Sequence, residues 1–350
     1  MAIFSVRGTQ VKGIAACVPS AKEYNRDYDW ISEAERNLLI KTTGISSRHI
    51  AGKGTTTTDL AVPAAELLIR SLGWDKNEID LLVLVTQSRD YFLPSSGVIL
   101  QDRIGLPHTC ASFDIGLGCS GYVYGMSVVA SMLQTGGFRK AILIAGDIST
   151  VSLNYKDKSA YPLFGDAVTA TGIEFNPGGE ASDFNLQSDG GGFEAIIIQD
   201  GCVRNPPSDE SHIEHEVEKG IIRSRKNLWL NGMDIFNFSV REAPKNITAL
   251  MNFNGTTEKD YDFFVMHQAN LLMNETIRKK LKIPAEKTPY SLKDYGNTSS
   301  ASIPLTILTQ CAEAAQQPRR WLLSGFGVGL SWASCSLFTD KIICPPVLEL

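Results

Sequence analysis

A cysteine among glycines, a histidine after an apolar run and an asparagine in a glycine-led turn stand at Cys119 (LGCSG), His267 (VMHQAN) and Asn297 (YGNTSS). Gly116, Gly118 and Gly121 allow a sharp turn around the cysteine, and Tyr122, Met126, Val129 and Leu133 then recur at helical spacing. A cysteine at a helix start meets orphan N–H groups and the positive end of the helix dipole, which favour thiolate over thiol. Such a thiolate is a nucleophile with donors at hand for an oxyanion. The competing reading is a packed core cysteine, the common fate of a free thiol. On residues 114–136 alone the two readings stand level.

The surrounding pattern places these three turns. Ile79–Thr86 (IDLLVLVT) and Ala141–Ala145 are apolar runs of strand length, buried on both faces. Residues 3–18 read as one strand, 21–40 as a helix, Thr58–Leu72 as a helix, and Tyr161–Ile173 as strand-like. Another helix begins over Val98–Ile104. The plan then repeats: Asp80-LLVLVTQS matches Asp262-FFVMHQAN, Phe138-RKAILIAG matches Pro318-RRWLLSGF, and DIGLGCSG answers DYGNTSSA with Gly116 against Gly296. The offsets, 262 − 80 = 182, 318 − 138 = 180 and 296 − 116 = 180, imply two copies of one β/α unit, residues 1–178 and 179–350. The first copy carries the cysteine and the second the histidine and asparagine. Packed about a pseudo-twofold axis, the copies would bring the three turns together at strand C-termini, where α/β folds place active sites. Residues 200–235 have no counterpart and read as a polar surface excursion near the substrate entrance.

Composition narrows the classes. With 43% hydrophobic residues the chain can bury a large core, and no apolar run reaches the roughly 18 residues of a membrane span. The first residues lack a signal-peptide layout, and seven scattered cysteines fit reduced thiols in a cytoplasmic protein. A formal net charge of −5 speaks against a nucleic-acid surface.

LGCSG before a helix, HQAN after a strand, GNTSSAS and the glycine-rich LLSGFGVGLSW resemble β-ketoacyl-acyl-carrier-protein synthase III, in the thiolase superfamily. KTTGISSRHIA and FGDAVTA extend that resemblance over nearly the whole chain. It implies a duplicated α/β fold of five layers, αβαβα, with mixed sheets. It also implies a homodimer without metal or other cofactor, whose partners are acyl-carrier protein, acyl and malonyl thioesters and possibly coenzyme A. In the implied mechanism Cys119 takes the acyl group from a thioester. The backbone N–H groups of Cys119 and Val328 hold the oxyanion. His267 and Asn297 donate to the malonyl thioester carbonyl as CO₂ leaves. Asn270, Lys158, Phe236 and Leu93 fall at substrate-contacting positions, Leu93 at the one that crosses to the partner's acyl pocket.

The resemblance weakens at the donor grip. Where the family usually has a tryptophan and an arginine around adenine, this chain has Leu38 and Thr42, and Leu272 replaces an arginine implicated in carrier docking. Trp30 could substitute for the lost stack. Alternative functions are an acyltransferase to an oxygen or nitrogen nucleophile and a non-catalytic partner subunit. A biosynthetic thiolase needs a second cysteine where Ser324 stands, and hydroxymethylglutaryl-CoA synthase needs a glutamate at Thr86–Gln87. GFGVG lacks the helix of a dinucleotide loop, and His212 with His215 lack a third metal ligand. Arg223, Arg225, Lys226, Arg278, Lys279 and Lys280 are candidates for a basic rim that receives an acidic carrier.

Overall fold

The computed structural model describes residues 2–350. Strand Leu81–Val85 shows why the chain must layer: Leu81, Val83 and Val85 enter a central apolar cluster, while Leu82 and Leu84 enter an outer one. Lys140–Asp147 divides in the same way, with Ala141, Leu143 and Ala145 inward and Ile142 and Ile144 outward. A strand apolar on both faces is stable only when helices cover both sides of its sheet.

Two mixed sheets result. One runs Leu348–Glu349, Thr9–Val18, Ala167–Phe175, Lys140–Asp147, Leu81–Val85, Ala111–Ile115; the other runs Ala2–Val6, Ser182–Ser188, Ser331–Thr339, Arg319–Gly327, Phe263–Met266. In each sheet two antiparallel pairings lead to a parallel one, Lys140–Asp147 beside Leu81–Val85 and Arg319–Gly327 beside Phe263–Met266. The chain ends exchange sheets, the first strand pairing with Ser182–Ser188 and the last with Thr9–Val18. Helices Gly121–Gln134 and Ser302–Gln310 lie in the central cluster with strands of both sheets. Thr57–Leu72 and Ser96–Ile104 cover one outer face, Gly232–Asn254 and Leu271–Lys280 the other. These are the five layers. The central helix comes close to its sheet because it has no side chain at Gly125, where a β-carbon would lie 2.8 Å from both Leu143 Cδ1 and Val85 Cγ2.

Several local expectations change. Residues 3–18 form two strands, Ala2–Val6 and Thr9–Val18, separated at Gly8 (φ +80°) and sent to different sheets. The single helix expected over 21–40 is a short strand, Lys22–Tyr24, followed by a helix from Glu33 to Thr43. Its start is set by Ser32, whose hydroxyl accepts from the Glu35 N–H while the Glu35 carboxylate accepts from the Ser32 N–H. The strand read from Tyr161 begins only at Ala167, because residues 161–166 turn over the buried Arg48, which donates to the carbonyls of Tyr161 (2.7 Å) and Phe164 (3.2 Å). Residues 200–235 contain a hairpin, His215–Glu218 with Ile221–Arg223, anchored by a buried Arg223–Asp157 ion pair of 2.6 Å.

Candidate active site

Cys119 lies on the turn between strand Ala111–Ile115 and helix Gly121–Gln134. The helix start does not hand its N–H groups to the sulfur, since the Gly121 N–H donates 2.7 Å back to Gly118. The donor comes instead from the far half of the chain. Gly327, at φ +157°, brings its backbone against the cysteine, and a β-carbon there would sit 2.8 Å from Sγ. The next residue, Val328, lines the same cavity as the sulfur. Burial nevertheless dominates and pushes the Cys119 thiol up to about 11. The Val328 N–H acts the other way, Asp147 adds to the rise, and the Cys119 N–H and Ser299 hydroxyl oppose it. The thiolate expected from a helix start is therefore a thiol at rest, because desolvation outweighs the donors.

His267 follows strand Phe263–Met266, its N–H donating 2.8 Å to Ser324 on the neighbouring strand. Nδ1 lies 2.8 Å from the Ser302 hydroxyl, and Phe326 meets the ring edge-on at 5.7 Å between centroids. Burial lowers its pKa to about 3, against a hydrogen bond with the Ser299 backbone, so the imidazole is neutral at pH 7. Asn297 is clamped between the Leu163 carbonyl, which accepts from its N–H at 2.9 Å, and the Gly165 N–H, which donates to its carbonyl at 3.0 Å. Its Oδ1 accepts from the Ser299 N–H at 3.0 Å, which turns the amide nitrogen away from that turn.

Ser299 joins these groups. It sits at φ +51°, a left-handed conformation costly for a residue with a side chain. Its N–H donates to Asn297 Oδ1 at 3.0 Å, and its side chain lines the same cavity as Cys119 and the buried Asp147. Cys119, Val328, Ser299, Phe164 and Asp147 line one cavity of about 420 Å³, walled by Ile196, Ile197, Ile198 and Leu228. Asp147, whose pKa burial raises, accepts from the Gln87 N–H (2.6 Å) and the hydroxyls of Thr86 (3.0 Å) and Ser300 (3.1 Å). Ser299 and Asp147 escape a reading of the sequence: one is the first of three serines in GNTSSAS, the other a lone acid after AILIAG.

The residues expected to contact substrate are dispersed. Asn270 uses its Oδ1 to cap helix Leu271–Lys280, accepting from the Met273 N–H at 2.9 Å. Phe236 is half-buried against the cluster that holds Phe238, Phe326 and Trp332. Lys158 is 3.2 Å from the Glu35 carboxylate, so its charge is already paired. Leu93 is 79% exposed on the loop before helix Ser96–Ile104 and does not line the cavity. The basic rim is mostly neutralised: Arg223 pairs with Asp157, Arg225 with Asp200 and Arg278 with Glu275. Among the described residues no helix is long and apolar enough to cross a membrane.

Two topologically matching mixed sheets about a pair of central helices define a thiolase-fold protein. Residues 113–190 match the sequence model of 3-oxoacyl-[acyl-carrier-protein] synthase III, and residues 251–338 match that of its C-terminal part. A Campylobacter jejuni relative is 36% identical over 311 residues, 87% of each chain. A Campylobacter fetus relative, called β-ketoacyl-[acyl-carrier-protein] synthase III, is 30% identical over 95% of this chain and 98% of its own. The crystal structure of a 3-oxoacyl-(acyl-carrier protein) synthase from Burkholderia xenovorans superposes with a TM-score of 0.93 at 33% identity, covering 99% of both chains. The chain belongs to the 3-oxoacyl-[acyl-carrier-protein] synthase III family.

Proposed function

We propose that this chain condenses an acyl thioester with malonyl-acyl-carrier protein, with loss of CO₂, through an acyl group held on Cys119. The observation that carries the reading is the Cys119 sulfur set against the Gly327–Val328 backbone at the wall of a largely apolar cavity. In the first half-reaction the sulfur adds to the thioester carbonyl, and the N–H groups of Cys119 and Val328 receive the oxyanion. The intermediate collapses to acyl-Cys119, and the proton of the cysteine leaves with the departing thiol. In the second, the malonyl carboxylate departs as CO₂ and its bonding electrons form an enolate. Neutral His267 and the Asn297 amide nitrogen are the donors that stabilise that enolate. Its carbon attacks acyl-Cys119, forming the new C–C bond and releasing the cysteine sulfur as thiolate, which regains a proton.

The finer assignments belong to the same proposal: the transferase is an acyltransferase, and it works as a homodimer. Tyr91, Phe92 and Leu93 form an apolar tip, 62%, 59% and 79% exposed, that a second copy would cover. Mass spectrometry of the intact protein tests the chemistry. A thioester should add its acyl mass to wild type and not to Cys119→Ala, and malonyl-acyl-carrier protein should then discharge it as a 3-oxoacyl product. An adduct that persists in Cys119→Ala, or one that malonyl-acyl-carrier protein leaves in place, overturns the reading.

A further inference from the structure

The cavity beside Cys119 has a second character that plain alkyl chains do not need. Its apolar wall faces Gln87, Ser88, Asp147, Ser149, Ser152 and Ser299. Four of these are already engaged. The Ser88 hydroxyl is 2.8 Å from both Thr57 Oγ1 and the Ile148 N–H. Ser152 donates 2.9 Å to the Ser149 carbonyl, Asp147 accepts four hydrogen bonds, one of them from Ser88, and the Ser299 hydroxyl faces Cys119 and Asp147. Gln87 and Ser149 differ. Gln87 uses only its backbone N–H, and neither its carboxamide nor the Ser149 hydroxyl has a protein partner among the described residues.

The Gln87 carboxamide oxygen lies against Gly118, the residue before Cys119, on the side where Val328 Cγ1 also approaches. A β-carbon at Gly118 would collide with it, so the backbone there leaves room for this side chain. The amide thus stands in the wall of the same cavity as Cys119, against the residue that precedes it. A carboxamide and a hydroxyl offer both donors and acceptors. Covering them with a bare alkyl chain strips their water without replacing its hydrogen bonds.

We infer that Gln87 and Ser149 select an acyl group that carries an uncharged hydrogen-bonding substituent, such as a hydroxyl or amide, near the thioester. Charged substituents fit poorly. No lysine, arginine or histidine lines the cavity to balance a carboxylate, and Asp147 has its oxygens committed to four donors against an ammonium. The inference rests on the acyl-Cys119 reading and adds the class of acyl group.

The test is a matched pair of pantetheine thioesters, butyryl and 3-hydroxybutyryl, with loading of Cys119 followed by intact mass. Wild type should load the hydroxyacyl group about ten-fold faster, the scale of one good hydrogen bond in a closed pocket. Gln87→Leu should bring the ratio near unity, and Ser149→Ala should narrow it. Because each ratio is taken within one protein, partial misfolding of a variant does not alter it. Equal loading by wild type, a preference for butyryl, or a ratio that neither substitution moves overturns the inference. If neither thioester loads Cys119, the acyl-enzyme reading itself falls, and the inference with it; the butyryl arm separates the two failures because it asks nothing of Gln87.

Discussion

The Ser302 hydroxyl lies 2.8 Å from Nδ1 of His267, at the first residue of helix Ser302–Gln310, and fixes one edge of the imidazole. In the proposed mechanism this contact orients the ring, and the nitrogen that faces the enolate must carry the proton. Ser302→Ala should therefore slow condensation more than acylation of Cys119. Loss of one neutral hydrogen bond, on the order of 1 kcal/mol, corresponds to roughly five-fold. Single-turnover measurement of each half-reaction checks this, with Ser302→Thr expected to recover much of the loss. Equal slowing of both halves would count against a role through His267.

Burial of His267 also sets a pH dependence of stability. Its pKa is about 3 in the folded chain against the ordinary 6.5, so below pH 6.5 the unfolded chain takes a proton that the folded chain refuses. The stabilisation is complete above pH 6.5 and is lost progressively as pH falls toward 3, by at most about 1.4 kcal/mol per pH unit. The difference in unfolding free energy between pH 7 and pH 5 should be smaller in His267→Gln than in wild type. Denaturant titrations at the two pH values decide it, and an identical difference in both proteins would show that His267 titrates normally.

What a reader of the sequence can find here is what local chemistry writes. Cys119, His267 and Asn297 stand out because glycines and strand ends announce turns within a few residues. The paired sheets are legible as well, since LLVLV and FFVM are apolar on both faces and recur at an offset of 263 − 81 = 182. Arg48 is not legible. In the sequence it is one basic residue among polar ones, yet it is buried and holds the loop that clamps Asn297. The resting protonation of Cys119 is hidden for the same reason. A helix start suggests a thiolate, while the burial that reverses this is a tertiary property, to which the close packing of Gly327 from a distant strand belongs. The break at Gly8 was masked because strands on both sides of it are apolar, and nothing local says they enter different sheets.

Asn297→Ala should cripple condensation and spare acylation. Its Oδ1 is committed to the Ser299 N–H, leaving the amide nitrogen to donate, and in the proposed mechanism that donor would serve the enolate rather than the first tetrahedral intermediate. Removing such a donor typically costs ~10²–10³ in rate. Release of CO₂ from malonyl-acyl-carrier protein, followed alongside Cys119 loading, separates the two steps. Near-wild-type condensation would remove Asn297 from the mechanism.

The last prediction concerns the acyl donor. At the positions where the family grips adenine this chain presents Leu38, 64% exposed, and Thr42, and neither can stack or make a cation–π contact as tryptophan and arginine do. The other candidates are occupied. Trp30 donates its indole N–H to the Gly220 carbonyl at 3.1 Å, and Lys158 is paired with Glu35. The same acyl group should therefore load faster from a carrier protein than from coenzyme A. Both donors share the pantetheine arm, so any difference arises at the adenine end or on the protein surface. A cation–π contact is worth roughly 0.5–2 kcal/mol, and a factor of ten corresponds to about 1.4 kcal/mol, so the penalty on coenzyme A should be measurable without being absolute. Leu38→Trp combined with Thr42→Arg should narrow it, and Glu35→Gln, by freeing Lys158 for a phosphate, should do so independently. The comparison is kcat/KM for acyl-coenzyme A and acyl-carrier donors in wild type and both variants. A wild type that already prefers coenzyme A would mean that the Trp30 ring carries the stack despite its hydrogen bond to Gly220.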